Sequence, residues 1–474
     1  MPRTARRDFG FAFAGQVSIA VVGIVRTLLI PLLLGADIHA YASWQAYLLY
    51  VGYISVGYWG FNDGFYVRHP KLDDDPSRRR LSSSLVVDSA FLLGEAFAFI
   101  AVALSTGMFA DDTAVWVAVF ANLPLTGLYG ALTYHLQLTG KIDRASVIVS
   151  LEKVIFLVGV VGANVTGHLN LASLIAIEIT SKLLMTAWGY WSGRATLLRG
   201  PFNLAIGLAE FRKNLSVGIK LMLGTYFALL LTGVVRIFVQ TTASAADFAY
   251  YALAFSVTSI IFLLGQAITV VLYPHLSRGT VSSMGEHFVK MNRVLSLLFP
   301  VILLGYYPGA IVLRTLLPRY ELSGYYLGFL LPVIGFQLIV GTLNGTYYRL
   351  LRQEKRMFVD NTISVLVLIA LCLALKESIV AMTLAQILVL AFRAWHSQRQ
   401  FRTQLLLPRG NEILAQLAWT ATFLLGVHLH SAWLMGLFAV GVLGYLVHRR
   451  AELASIYGRY LKRPDAGGEG STRS

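Results

Sequence analysis

The sequence predicts an all-α polytopic membrane protein. About 14 transmembrane helices are expected, as two parallel six-helix lobes plus two extra C-terminal helices. Three observations predict this. The 474 residues are 56% hydrophobic and only 13% charged, where an ordinary soluble domain carries about 25% charged residues. Apolar runs of roughly 20 residues, long enough to cross a bilayer as a helix, recur along nearly the whole chain. One stretch also occurs twice at an offset of 210: Gly23-Ile24-Val25-Arg26, Ala36-Asp37 and Tyr41-Ala42 return as Gly233-Val234-Val235-Arg236, Ala246-Asp247 and Tyr251-Ala252.

In chain order, spans are expected near 9–34, 39–60, 83–107, 113–136, 145–165, 169–191, 214–240, 248–273, 293–313, 323–346, 359–376, 378–395, 411–428 and 431–448. Arg3, Arg6 and Arg7 before the first run imitate a signal peptide, but the run is too long for one and reads as a retained span. Basic residues alternate in density between successive loops. One side receives Arg68, Lys71, Arg78–Arg80, Lys141, Arg144, Arg194, Arg199, Arg212, Lys213, Arg278, Lys290, Arg293, Arg349, Arg352, Lys355, Arg356, Arg393, Arg399, Arg402, Arg409 and the C-terminal cluster; the other receives Arg314, Arg319 and Lys376. The positive-inside rule then places both termini in the cytoplasm. The same pattern accounts for the net charge of +15 through topology and anionic lipid, with no need for nucleic acid. An even number of helices per repeat makes the repeat parallel. The expected units are 1–200 and 201–397, each of six helices, then 398–450 with two helices, and a cytoplasmic tail at 451–474.

Ionisable residues inside apolar runs are costly and are functional candidates. Arg26 and Arg236 occupy matched places in the two copies. Each either snorkels to the membrane edge or serves a shared machine. Neither has an acid within one helical turn; Asp37 and Asp247 come eleven residues later, roughly 16 Å along a continuous helix. The aspartates suit caps of the following helices or gate positions, and Pro31 suits a kink at the outer end of the first span. Arg26 shares a face with Gly15 and Ile19. Glu178 and Lys182 are four apart, so a private salt bridge competes with a functional pair. Glu152 and Lys153 are adjacent and project about 100° apart, so mutual neutralisation is not expected. Glu95 has no cation nearby on its own helix, and Asp88 is expected near water. Glu95, Glu152 and Glu178 are the coupling-ion candidates. No acid is expected deep in the last seven spans. Trp44, Tyr47 and Tyr58 form an aromatic stripe that suits packing, an interfacial belt or a sugar.

The chain has no phosphate-binding loop, nucleophile elbow, HExxH or Cys/His cluster, and its one cysteine, Cys372, precludes an intrachain disulfide. No cofactor or metal is expected. Asp111-Asp112 reads as a solvated turn.

With these features the chain resembles the lipid-linked oligosaccharide flippases, the O-antigen and exopolysaccharide translocases of the multidrug/oligosaccharidyl-lipid/polysaccharide exporter superfamily. Gly57-Tyr58-Trp59-Gly60-Phe61-Asn62-Asp63-Gly64 and Leu272-Tyr273-Pro274-His275-Leu276-Ser277-Arg278 look like its span-two and span-eight endings. The resemblance implies a V-shaped, two-lobed fold and alternating access. It implies a central cavity whose cations receive the pyrophosphate of a polyprenyl carrier, a role carried over to Arg26 and Arg236 and, beside their carboxylates, to Lys153 and Lys182. The expected function is transport of a polyprenyl-pyrophosphate-linked saccharide across a bacterial inner membrane without bond chemistry, alongside the lipid bilayer and polysaccharide polymerase machinery as partners. An ion-coupled drug exporter of the same fold, a membrane-embedded polymerase or ligase, and an uncoupled scramblase are the alternatives.

Overall fold

A computed structural model describes residues 22–35, 37–69, 75–106, 113–197, 202–276, 281–408 and 410–450. Gly15, Ile19, Asp111-Asp112 and the C-terminal tail lie outside them. The described chain is helical throughout, and nine of its helices are long and apolar enough to cross a membrane.

α1 (Val22–Leu34) runs through a buried Pro31 and stops at Gly35, whose φ of 59° no side-chain-bearing residue adopts cheaply. α2 (Ile38–Tyr53) starts on Asp37, whose carboxylate accepts from the Ala40 amide at 2.8 Å. The matched Asp247 sits inside α9 (Ala245–Leu276), where it and Ser244 form a reciprocal cap at 2.7 and 3.1 Å. Asp37 therefore does the capping expected of it, whereas at α9 the cap is Ser244 and Asp247 only accepts from its hydroxyl.

The span expected at 39–60 is broken. A 3₁₀ turn at Ile54–Tyr58 follows α2, Trp59 and Gly60 take φ of 48° and 78°, and α3 (Phe61–Arg68) restarts on a new axis. Gly52, Gly57 and Gly60 weaken the helix here. The span expected at 293–313 also divides, at Gly305, into α10 (Val281–Leu304) and α11 (Tyr306–Leu316).

In the first half, α4 (Asp75–Thr106) packs on α5 (Thr113–Leu138), and α6 (Ile142–Val165) on α7 (Leu171–Leu197), with α5 between α2 and α7. In the second half, α12 (Leu322–Leu338), extended by a π-helical turn at Ile339–Asn344 and by α13 (Gly345–Leu350), is the centre. The most apolar stretch of this α12–α13 rod is 89% buried, against 22% in both α4 and α14 (Glu354–Ala374). It is enclosed by α9, α10, α11, α15 (Ile379–Gln404) and α16 (Glu412–His428), while α17 (Ala432–His448) packs on α16 and α10.

α8 (Leu204–Thr242) joins the halves. Its 39 residues span roughly 58 Å, well beyond the expected 214–240. The broken α2–α3 rod follows it antiparallel from end to end: Tyr53 meets Gly233, Gly60 meets Gly218, Gly64 meets Asn214, and Arg68 reaches Glu210. At the α3–α8 crossing the backbones touch. A Cβ on Gly64 would stand 1.9 Å from the Asn214 carbonyl oxygen, and one on Gly218 1.8 Å from that of Gly60. Small residues four apart permit such an approach. The Arg68–Glu210 ion pair at 2.8 Å closes the same end.

Gly64→Val should separate α3 from α8, because a backbone atom cannot yield as a flexible side chain can. Overpacking of this kind costs about 1–3 kcal/mol. A lower Tm in detergent is expected, together with weaker cross-linking of cysteines at positions 68 and 210 in a Cys372→Ala background. Unchanged melting and cross-linking would contradict the contact.

Candidate functional site

The interior charges fall into three groups, with Glu95 and Asp88 apart from them. The first joins α2, α5 and α7. Glu178 and Lys182 pair at 2.8 Å, as the i, i+4 spacing allows, but not privately. Tyr47 donates to Glu178 Oε2 at 2.6 Å, and Asn122 donates to the same oxygen at 3.0 Å. Asn122 also donates to the Tyr47 hydroxyl. Lys182 donates to Asn122 Oδ1 at 3.1 Å and to Thr126 at 3.4 Å. Both charges are buried and fully engaged.

Beside it, Lys153 reaches Glu152 at 2.9 Å. This corrects the expectation that neighbours pointing apart leave each other unneutralised: the lysine's four-carbon stem is long enough to curl back. Glu152 is buried and Lys153 half-buried.

Arg26 lies near both pairs. Glu178 and Glu152 are the acids that bear on it electrostatically, yet it forms no ion pair among the described residues. Its guanidinium stands over the Phe156 ring at 5.9 Å. Phe156 stacks on Trp44 at 5.9 Å, and Trp44 on Tyr47 at 5.5 Å. A column of rings thus links Arg26 to the hydroxyl that holds Glu178. The aromatic stripe of α2 is buried packing, neither a solvent-edge belt nor an open sugar platform.

Arg236 belongs to the second group. It donates to the Gln45 carbonyl at 3.2 Å and to Gln45 Oε1 at 2.8 Å, and it covers Phe255 at 5.1 Å. Gln45 in turn donates to Tyr41 at 2.6 Å. Arg236 forms no ion pair among the described residues, and its Nε is buried without a partner. Both arginines bear electrostatically on Tyr41, and Arg26 on Arg236. The structure therefore brings the two repeat-matched cations into one neighbourhood, each held by a ring face and neither neutralised. Asp247 makes one remote contact, from the Tyr326 hydroxyl at 3.5 Å.

Glu95 stands apart on α4. The Trp59 indole donates to it at 3.3 Å, and its other oxygen is buried without a partner. Asp88 lies two turns away on the same face and is 1% exposed, not wet. Its Oδ1 is also unpartnered.

The third group was not expected. Arg393, read as a loop cation, is 2% exposed within α15, which runs nine residues past its expected end. It faces Asp360 of α14 at 3.7 Å, Tyr348 at 3.1 Å and Asn361 at 3.1 Å. Asp360 itself is only partly buried, near the start of α14. The sequence signal was Asp360-Asn361 at the mouth of one apolar run and Arg393 at the end of the next. Asn122 and Gln45 were likewise missed, each a lone carboxamide in an apolar run.

No protein-family model and no curated protein matches the sequence. Solved structures do. A structure titled "Lipid II flippase MurJ, inward closed conformation" matches 96% of this chain and 99% of its own, with a TM-score of 0.61 at 14% identity. An outward-facing multidrug resistance MATE family transporter of the MOP superfamily matches 84% of this chain and 95% of its own, with a TM-score of 0.60 at 10% identity. A MATE structure in complex with MaL6 matches 84% and 96%, with a TM-score of 0.56 at 11% identity.

Removing one partner of a buried ion pair strands the other, at a cost of about 3–5 kcal/mol. Lys182→Met should therefore destabilise more than the Glu178→Gln, Lys182→Met double variant. Thermal unfolding of the three proteins checks this ordering; a double variant worse than Lys182→Met would contradict it. The chain has the all-helical fold shared by these membrane transporters.

Proposed function

We propose that the protein is a flippase. It carries a polyprenyl-pyrophosphate-linked oligosaccharide from the cytoplasmic to the periplasmic leaflet of a bacterial inner membrane, for cell-surface polysaccharide assembly. The supporting observation is the charge balance of the interior. Arg26, Lys153 and Lys182 face only Glu152 and Glu178, so one positive charge is in excess, and Arg236 adds a second with no acid of its own. Uncompensated guanidinium groups in a desolvated interior are a standing demand for an anion, and a planar fork suits pyrophosphate. The fold shared with a lipid II flippase is consistent with this reading.

In this mechanism no bond is made or broken. Residues 1–200 and 201–397 act as two lobes in alternating access, and 398–450 add two helices. Arg26 and Arg236 receive the pyrophosphate, with Lys153 and Lys182 held in reserve by their carboxylates. Gln45 ties Arg236 to Tyr41. Separation of α3 from α8, at the Arg68–Glu210 pair, admits the ligand from the cytoplasmic side. Pro31, Asp37 and Asp247 lie at the opposite, gating end.

Arg26→Ala and Arg236→Ala should each weaken substrate binding by roughly 1.5–3 kcal/mol, about ten- to a hundredfold. Arginine-to-lysine variants should be intermediate. Surface glycan display in a strain lacking the gene, at matched membrane abundance, is the readout; normal display by the double alanine variant would reject the role.

A second reading, an ion-coupled multidrug exporter, is favoured by the unpaired acids Glu95 and Asp88. In either case Glu95 is the acid assigned to coupling. Glu95→Gln should abolish the dependence of transport on the proton or sodium gradient while leaving the protein folded. Full, gradient-dependent transport by Glu95→Gln would remove that assignment.

A further inference from the structure

A groove outside the interior site is left over at the basic end of the second half. It lies between the start of α14, the last turns of α15 and the start of α16. Two adjoining cavities of ≈ 380 and ≈ 340 Å³ share Trp395, Arg399 and Thr403 as walls. Arg356 and His396 complete the first, and Arg402 and Asn411 the second. No aspartate or glutamate is among the residues lining either cavity.

The three arginines are not equivalent. Arg402 is committed: it pairs with Glu412 at 2.6 Å, donates to the Pro408 carbonyl at 2.6 Å and covers Phe288 at 5.7 Å. Arg399 lies over the Trp395 ring at 5.5 Å, and neither it nor the exposed Arg356 has an ion pair among the described residues. Two open cations thus flank a concave wall, and the neighbouring carboxylate of Glu412 is already taken by Arg402.

The face of α15 leading to this groove is graded. Leu388, Phe392, Trp395 and Arg399 follow at spacings of four, three and four, one stripe of the helix. Leu388 and Phe392 are each 63% exposed, and the half-exposed Trp395 comes next. The order is aliphatic, aromatic, indole, guanidinium. It reproduces a leaflet read from acyl chain through interface to headgroup.

We propose that this groove is a binding site for the phosphate of an anionic phospholipid in the leaflet on the basic side. Arg356 and Arg399 hold the phosphate, Trp395 marks the interface, and the acyl chains lie along Phe392 and Leu388. The site is separate from Arg26 and Arg236 and does not depend on what the interior carries.

Native mass spectrometry of the full-length protein in detergent tests this, with phosphatidylglycerol and phosphatidylcholine of identical acyl chains as probes. The wild type should retain phosphatidylglycerol over phosphatidylcholine by roughly ten- to thirtyfold, the worth of two arginines at an anionic surface. Arg356→Gln with Arg399→Gln should erase the preference, and Arg399→Lys should keep part of it. Equal retention of the two lipids by the wild type, or an undiminished preference in the double variant, overturns the proposal. The wild-type comparison stands even where the double variant fails to fold. Two competitors separate the sources of phosphate. Displacement by millimolar inorganic phosphate would make the groove a soluble-anion site, and displacement by an equimolar polyprenyl pyrophosphate would give it to the transported lipid. Either result overturns the assignment; resistance to both supports it.

Discussion

A charge held away from water must find a partner, and the internal arrangement of this protein follows from how each charge does so. Glu178 and Lys182 recruit three polar side chains from two other helices. Lys153 bends back on its neighbour. Arg393 draws Asp360, Tyr348 and Asn361 together and so ties α13, α14 and α15 at one end. Arg26 and Arg236 use a different solution: each is laid over a phenyl ring, and Arg236 also takes a backbone and a side-chain oxygen of α2. A ring face stabilises a cation without cancelling it. The arginines are thereby kept inside with their charge unspent, unlike the neighbouring lysines.

The same rod, α2 with α3, carries both kinds of contact. Its first part supplies Tyr41, Gln45 and Tyr47, and so touches Glu178 and Arg236. Its second part supplies Gly60, Gly64 and Arg68 to α8. The break at Trp59 and Gly60 separates the stretch that serves the interior charges from the stretch that packs on α8. The break also aims the Trp59 indole at Glu95.

The helical class was legible in hydropathy, because the bilayer demands apolar runs of about one length, and nine described helices meet that demand. The repeat located Arg26 and Arg236 without further help. The failures share a cause. Hydropathy registers a residue's preference for leaving water and is silent about whether lipid or protein receives it. Asp88, Asp360 and Arg393 sit near span ends, where water and protein were equally good guesses. Glu152 and Lys153 were misjudged because projected directions ignore side-chain reach. The partners Gln45, Asn122 and Tyr47 come from helices distant in sequence, and no local pattern announces them.

The enclosure of α12 bears on how the chain is assembled. Its hydropathy equals that of lipid-facing α8 and α10–α11, so on leaving the insertion machinery it is as content among acyl chains as they are. Its final surroundings, however, include α15 and α16: Gly328 lies within contact distance of Val427, and Asn344 donates to the Ala394 carbonyl. These partners are synthesised some 50 to 100 residues after it. Until then Gln337, Thr342 and Asn344, all buried in the finished protein, lack part of their surroundings. The surroundings of the central helix are therefore complete only when α15 and α16 are in place.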